Sequence, residues 1–211
     1  MNKILLVEGK DDEHVIYAIR DIYEISKDSF IIKDKKGLEN VLEETDSTLI
    51  DGNPDNCLGI VIDADEDLNI QWQRITSILG KADYDKKIIP DIPDASGTII
   101  KQEFKPTFGV WIMPDNVITR GYLETFLTLL VPEPENNKTW QKAKSCVDSL
   151  EDKPFIKQEA DHTTKAEIHT YLAWQKEPGK PFGTAITAKY LQTENPKCEQ
   201  FVEWLKRLFV N

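Results

Sequence analysis

Apolar strand-like runs that alternate with amphipathic helical segments predict an α/β fold, a doubly wound parallel sheet of about four strands flanked by helices. Three observations carry this reading. KILLV, LGIVI and TFGVWIM are short, nearly continuous apolar runs of the kind that parallel sheets bury. The segments between the early runs place apolar residues at helical spacing. The chain from about Lys138 onward reads as helices alone. The expected organisation is one domain over residues 1–211, with a β-hairpin inserted at 86–106 and a helical C-terminal part, 138–211, packed on the same domain.

The elements follow in order. Residues 3–7 form the first strand, and 12–25 form a helix with Val15, Ile16, Ile19, Ile22 and Tyr23 on one side. SFIIK is the second strand, and a short helix follows near Leu38 to Glu44, with Gly37 at the junction. LGIVIDAD is the third strand and DLNIQWQRITSILG the helix after it. Residues 86–106 contain three prolines, a Ser-Gly turn and two short β-rich runs, which predict a hairpin at the sheet edge. TFGVWIM is the last strong strand, and GYLETFLTLL is a helix until VPEPEN breaks it. WQKAKSCVDSL, KAEIHTYLAWQ and KCEQFVEWLKRLF complete the set.

Composition narrows the function. With 40% hydrophobic and 30% charged residues the chain is globular, neither disordered nor membrane-like. The apolar runs are too short to span a bilayer and Met1 leads almost directly into a strand, so a cytoplasmic protein without a signal peptide is expected. Cys57, Cys146 and Cys198 show no ligand or disulfide pattern. A net charge of −11 argues against a simple nucleic-acid-binding module, although an enzyme that recruits metal cations can still act on a phosphodiester.

The acidic residues are the chemical signal. LLVEGKDD ends an apolar strand on Glu8 and reaches Asp12 across a turn at Gly9, where glycine is expected to let the backbone fold tightly. VIDADED ends a second strand on Asp63 and Asp65, which strand alternation places on one side about 6 to 7 Å apart. Ligand crevices of open parallel sheets lie beyond the carboxyl ends of the strands, so the two clusters converge on one rim. Carboxylates offering only oxygen suit a hard cation such as Mg²⁺ or Mn²⁺, which relieves their repulsion. Each cluster taken alone also has a plainer reading, with Asp12 as a first-turn helix residue and Asp63 to Asp67 as a solvated capping loop.

LLVEGKDD followed by VIDADED resembles the Toprim domain, shared by topoisomerases, primases and OLD-family nucleases, whose signature is a strand ending in Glu-Gly and a later strand ending in DxD. The match is at Glu8, Gly9, Asp63 and Asp65, and Asp12 also fits. GYLETFL resembles the Gly-x-Leu-Glu segment of the nuclease-like branch, with Gly121 and Glu124. The resemblance implies a Toprim-like, Rossmann-like sheet, a metal site of Glu8, Asp12, Asp63, Asp65 and Glu124, and a role for Glu8 as ligand or as general acid or base. A lysine late in such nucleases sits near the metals, which points to Lys165; a solvated surface lysine is the alternative. The large partner domains of primases and topoisomerases are not in this sequence.

Other constellations are less informative. Lys10 is expected to be solvated, and His14, His162 and His169 lack metal-ligand spacing. Trp111, Trp140, Trp174 and Trp204 read as core residues. The function expected is Mg²⁺-dependent phosphotransfer on DNA or RNA, most concretely hydrolysis by a Toprim/OLD-like nuclease. One alternative is a non-catalytic metal-binding regulatory or interaction module, partnered for example with an ATPase. A receiver-like phosphoacceptor is disfavoured because TFGVWIMPDN carries no strand-end lysine.

Overall fold

The structure is a computed structural model that describes residues 2–156 and 162–210. Five strands form one sheet in the order β2-β1-β3-β5-β4. They are β1 (Lys3–Val7), β2 (Ile31–Asp34), β3 (Cys57–Asp63), β4 (Thr98–Ile100) and β5 (Thr107–Met113). β1 runs parallel to both β2 and β3, β3 runs parallel to β5, and β4 closes the edge antiparallel to β5. The expected α/β class therefore holds, with one strand more than the four read from the sequence.

Side-chain alternation along the strands divides the core into two layers. Leu6, Leu58, Ile60, Ile62, Val110 and Ile112 face α2 (Leu38–Asp51) and α3 (Leu68–Lys81). Leu5, Val7, Val61, Trp111 and Met113 face the other way, onto α1 (Lys10–Ile22), α4 (Leu123–Leu129), α5 (Lys138–Asp148), α6 (Thr163–Ala173), α7 (Phe182–Thr187) and α8 (Pro196–Phe209). Burial of both faces explains why these strands read as unbroken apolar runs. No helix among the described residues is long and apolar enough to cross a membrane.

Two glycines shape the second face. Gly59 and Gly109 are register partners on β3 and β5. A Cβ on Gly109 would lie 2.3 Å from Leu208 Cδ2, and one on Gly59 would lie 2.8 Å from Phe209 Cζ. The bare backbone at this point is the seat for the end of α8. The Cys57 thiol donates to the Leu208 carbonyl at 3.3 Å, and Lys3 Nζ donates to the Phe209 carbonyl.

Several sequence expectations need correction. The hairpin is not contained in 86–106: of that segment only Thr98–Ile100 is a strand, and its partner is β5. Pro90 and Pro93 and the turn at Asp94–Gly97 keep the first half irregular. The first helix begins at Lys10 and ends at Ile22 rather than spanning 12–25. The helix near Leu38 extends to Asp51, where Gly52 in the left-handed conformation (φ 67°) stops it. The Pro/Gly segment after Trp174 contains α7, missed because it has only 6 residues. α7 packs against α1 so closely that a Cβ on Gly183 would lie 2.5 Å from the His14 carbonyl oxygen. Trp111, Trp140 and Trp204 are core, whereas Trp174, at the end of α6, is 46% exposed.

Candidate acidic site at the sheet switch point

The chain leaves β1 toward β2 on one side and returns to β3 on the other, so the crevice of this sheet opens between the carboxyl ends of β1 and β3. Glu8 follows β1 and Asp63 is the last residue of β3. The Asp63 main-chain N–H donates to Glu8 Oε1 at 2.8 Å, and the Glu8 carbonyl accepts from Gly37 N–H at 2.7 Å. Gly9 N–H donates to Asp12 Oδ2 at 3.0 Å, so Asp12 folds back over the start of α1. The backbone at Gly9 is extended (φ −146°), and the tight glycine turn expected there is not required.

β3 stops at Asp63, and the chain then turns. Ala64 is buried, and Asp65 takes a left-handed conformation (φ 51°) held by two main-chain hydrogen bonds with Gly121, both 3.0 Å. β3 therefore ends before Asp65, and strand alternation does not set the direction of its side chain. The Asp65 side chain is fixed instead by Gln71, whose Nε2 donates to Oδ2 at 3.0 Å. The rest of VIDADED is structural: Asp67 caps α3 through Asn69 N–H at 2.8 Å, and Glu66 accepts from the Tyr122 hydroxyl at 2.8 Å and pairs with Arg120 at 2.6 Å.

The third contribution comes from α4. Glu124, in its first turn, is 8% exposed and lies 3.1 Å from Lys165 Nζ, which also sits over the Tyr122 ring at 5.2 Å. Lys165 is therefore paired at the site rather than a free surface lysine. Lys10 is 70% exposed and pairs with Glu13 at 3.1 Å, as a solvated side chain does.

Glu8, Asp12, Asp63 and Asp65 all lie above their ordinary values. Burial pushes Glu8 up to about 7, with the charges of Asp65 and Asp12 adding to it and the Asp63 N–H opposing. Burial likewise pushes Asp12 up to about 7; its hydrogen bond from Gly9 opposes this, and the charges of Glu124 and Asp11 reinforce it. Asp63 lies well above the usual carboxylate range, first through burial and then through Glu8, Asp12, Glu124 and Asp65. Asp65 is raised by burial and Glu66, and Lys165 and Arg74 moderate it. All five acidic positions read from the sequence thus meet electrostatically around Asp63, with Lys165 beside them.

The DUF3226 family model, described as a protein of unknown function, matches residues 2–210. This chain belongs to the DUF3226 family. The match includes every element from β1 to α8 and all the acidic positions. Comparison with curated proteins and with solved structures gives no significant match.

In this DUF3226 chain the carboxylates already hold protein donors: Glu8 the Asp63 N–H, Asp12 the Gly9 N–H, Asp65 the Gln71 amide and Glu124 the Lys165 ammonium. Among the described residues no group of three or more His, Cys, Asp or Glu side chains is assembled to hold a metal ion as it stands. Two buried acceptors nevertheless lack any partner at this rim, Asp63 Oδ1 and Gln71 Oε1. Leaving such a group unpaired costs about 1–3 kcal/mol. An all-oxygen donor set with unpaired buried acceptors fits a hard divalent cation and its water. His162 packs edge-on to Tyr122 with its buried Nδ1 unpartnered, and His169 lies against Phe182.

Sequence reasoning missed Gln71 and Arg74. They stand three residues apart on α3, a spacing that puts both on one helix face, and the second turn after the Asp67 cap is where a helix passes the crevice. Arg74 also pairs with Glu39 at 2.7 Å.

Proposed function

We propose that this protein is a Mg²⁺- or Mn²⁺-dependent phosphodiesterase acting on DNA or RNA in the cytoplasm, a nuclease of the Toprim/OLD-like type. The observation that carries the reading is that Asp63, on which the charges of Glu8, Asp12, Glu124 and Asp65 all act, has a buried Oδ1 with no partner. Glu8, Asp63 and Asp65 would hold one cation, and Asp12 with Glu124 would complete a second site. A bound divalent cation supplies charge neutralisation at the carboxylates and an activated water.

The chain's own residues have distinct parts. As the alternative to holding the cation, Glu8 would act as general acid or base, taking a proton from the attacking water or returning it to the leaving oxygen. Lys165, released from Glu124, would offset negative charge that develops on the phosphoryl oxygens. With a net charge of −11, tight substrate capture needs a local basic stretch such as residues 33–36 (KDKK) or a protein partner.

One observation favours a second reading. Because Glu8, Asp12, Asp65 and Glu124 each have a protein donor, a metal-binding regulatory module acting with a partner such as an ATPase also accounts for the site. Incubation with single- and double-stranded DNA and RNA in Mn²⁺ separates the two. The nuclease reading expects cleavage that disappears in Glu8→Gln and Asp63→Asn. Cation binding without cleavage supports the module, and cleavage undiminished in both variants marks a contaminant.

A further inference from the structure

Gln71 is a polar side chain only 6% exposed, in the second turn of α3. Its Nε2 donates to Asp65 Oδ2 at 3.0 Å. An ionised carboxylate only accepts, so this contact fixes which end of the amide faces Asp65 and turns Oε1 away from it. Oε1 is buried and has no hydrogen-bond partner. A side chain kept only to support α3 would have no use for a buried amide half of whose capacity is unmet. The neighbouring orphan, Asp63 Oδ1, is also an acceptor, so what this rim lacks is donors or positive charge.

We infer that Gln71 is a positioning residue of the acidic site: its amide N–H aims the Asp65 carboxylate, and its free carbonyl oxygen receives a hydrogen bond from water or hydroxyl carried by the cation. The inference rests on the divalent-cation reading above. Partners that orient a ligand from behind the coordination sphere typically alter metal affinity by 10- to 100-fold when removed.

The test is calorimetric titration of metal-free full-length protein with Mn²⁺, for wild type and Gln71→Met, which keeps length and burial but neither donates nor accepts in the same way. The expected result is at least a tenfold weaker affinity in Gln71→Met with a thermal midpoint close to wild type. Equal affinity in the two overturns the inference while leaving the cation reading intact. No Mn²⁺ binding by wild type overturns both. Should Gln71→Met not fold, the Gln71 side-chain amide resonance of wild type is followed during addition of diamagnetic Mg²⁺ and compared with Asp65→Ala. A resonance that shifts in both experiments supports the inference, and one that stays still in either overturns it.

Discussion

The Asp63 main-chain N–H holds the Glu8 carboxylate at 2.8 Å, so the two acids that end adjacent parallel strands are joined by backbone rather than by their charges. Substituting the Asp63 side chain removes a carboxyl ligand without releasing Glu8. Asp63→Asn is therefore a cleaner probe of cation binding than Glu8→Gln, which alters the tether itself.

Stability without metal should fall as pH rises. Glu8 has an ordinary value of 4.5 and a folded value of about 7, so between these limits the folded state binds more protons than the unfolded one. Its neutral form is favoured by folding below about pH 4.5, and that contribution is lost as pH climbs through 7. For Glu8 alone the loss is on the order of 3 kcal/mol. Asp12, raised to about 7, acts in the same direction. Denaturant midpoints measured from pH 5 to 8 in chelator should decline, and the slope should flatten in Glu8→Gln.

Divalent cation should reverse that decline. A ligand that binds only the folded state stabilises it by about 2.7 kcal/mol at one hundred times its dissociation constant. Thermal scans at pH 7.5 should show a midpoint rising with Mn²⁺ concentration in wild type and no rise in Asp63→Ala, whose unpaired buried oxygen is gone.

Lys165→Met should destabilise the metal-free protein by about 1–2 kcal/mol, since it strands the 8%-exposed Glu124 without its cation. The lysine is itself more than a third exposed, which keeps the effect below that of a fully buried pair. In the double variant with Glu124→Gln most of the loss should be recovered, as urea denaturation can measure.

Gly183→Ala should lower the thermal midpoint through packing alone. Its new methyl would meet the His14 carbonyl oxygen at 2.5 Å, and overpacking of this kind costs about 1–3 kcal/mol. At roughly 2–4 °C per kcal/mol for a chain of this size, a drop of several degrees is expected. Because His14 lies on α1, two residues beyond Asp12, a shift there should also weaken Mn²⁺ binding, by less than Asp63→Ala does.

The strands and their order of use were legible because burial on both faces writes itself as apolar runs, and Glu8 and Asp63 followed from where those runs end. Gln71 was not legible, since a glutamine in a helix carries no sign of the carboxylate it serves until α3 is laid beside the crevice. The end of β3 was read two residues too late for a related reason. Ala64 looked like the middle of an alternating strand, but the Asp65–Gly121 pairing, 56 residues apart, bends the chain into a left-handed turn. Trp174 was misread because it caps the end of α6, past the buried Tyr171 and Leu172, where the helix no longer sets a core-facing side.

The paired glycines of β3 and β5 have a consequence for how the chain matures. Gly59 and Gly109 are synthesised long before Leu208 and Phe209, the side chains that fill the space they leave. Until α8 leaves the ribosome, the bare backbone at Gly59 and Gly109 lacks its cover, so the strand bearing Asp63 is completed only when that helix follows.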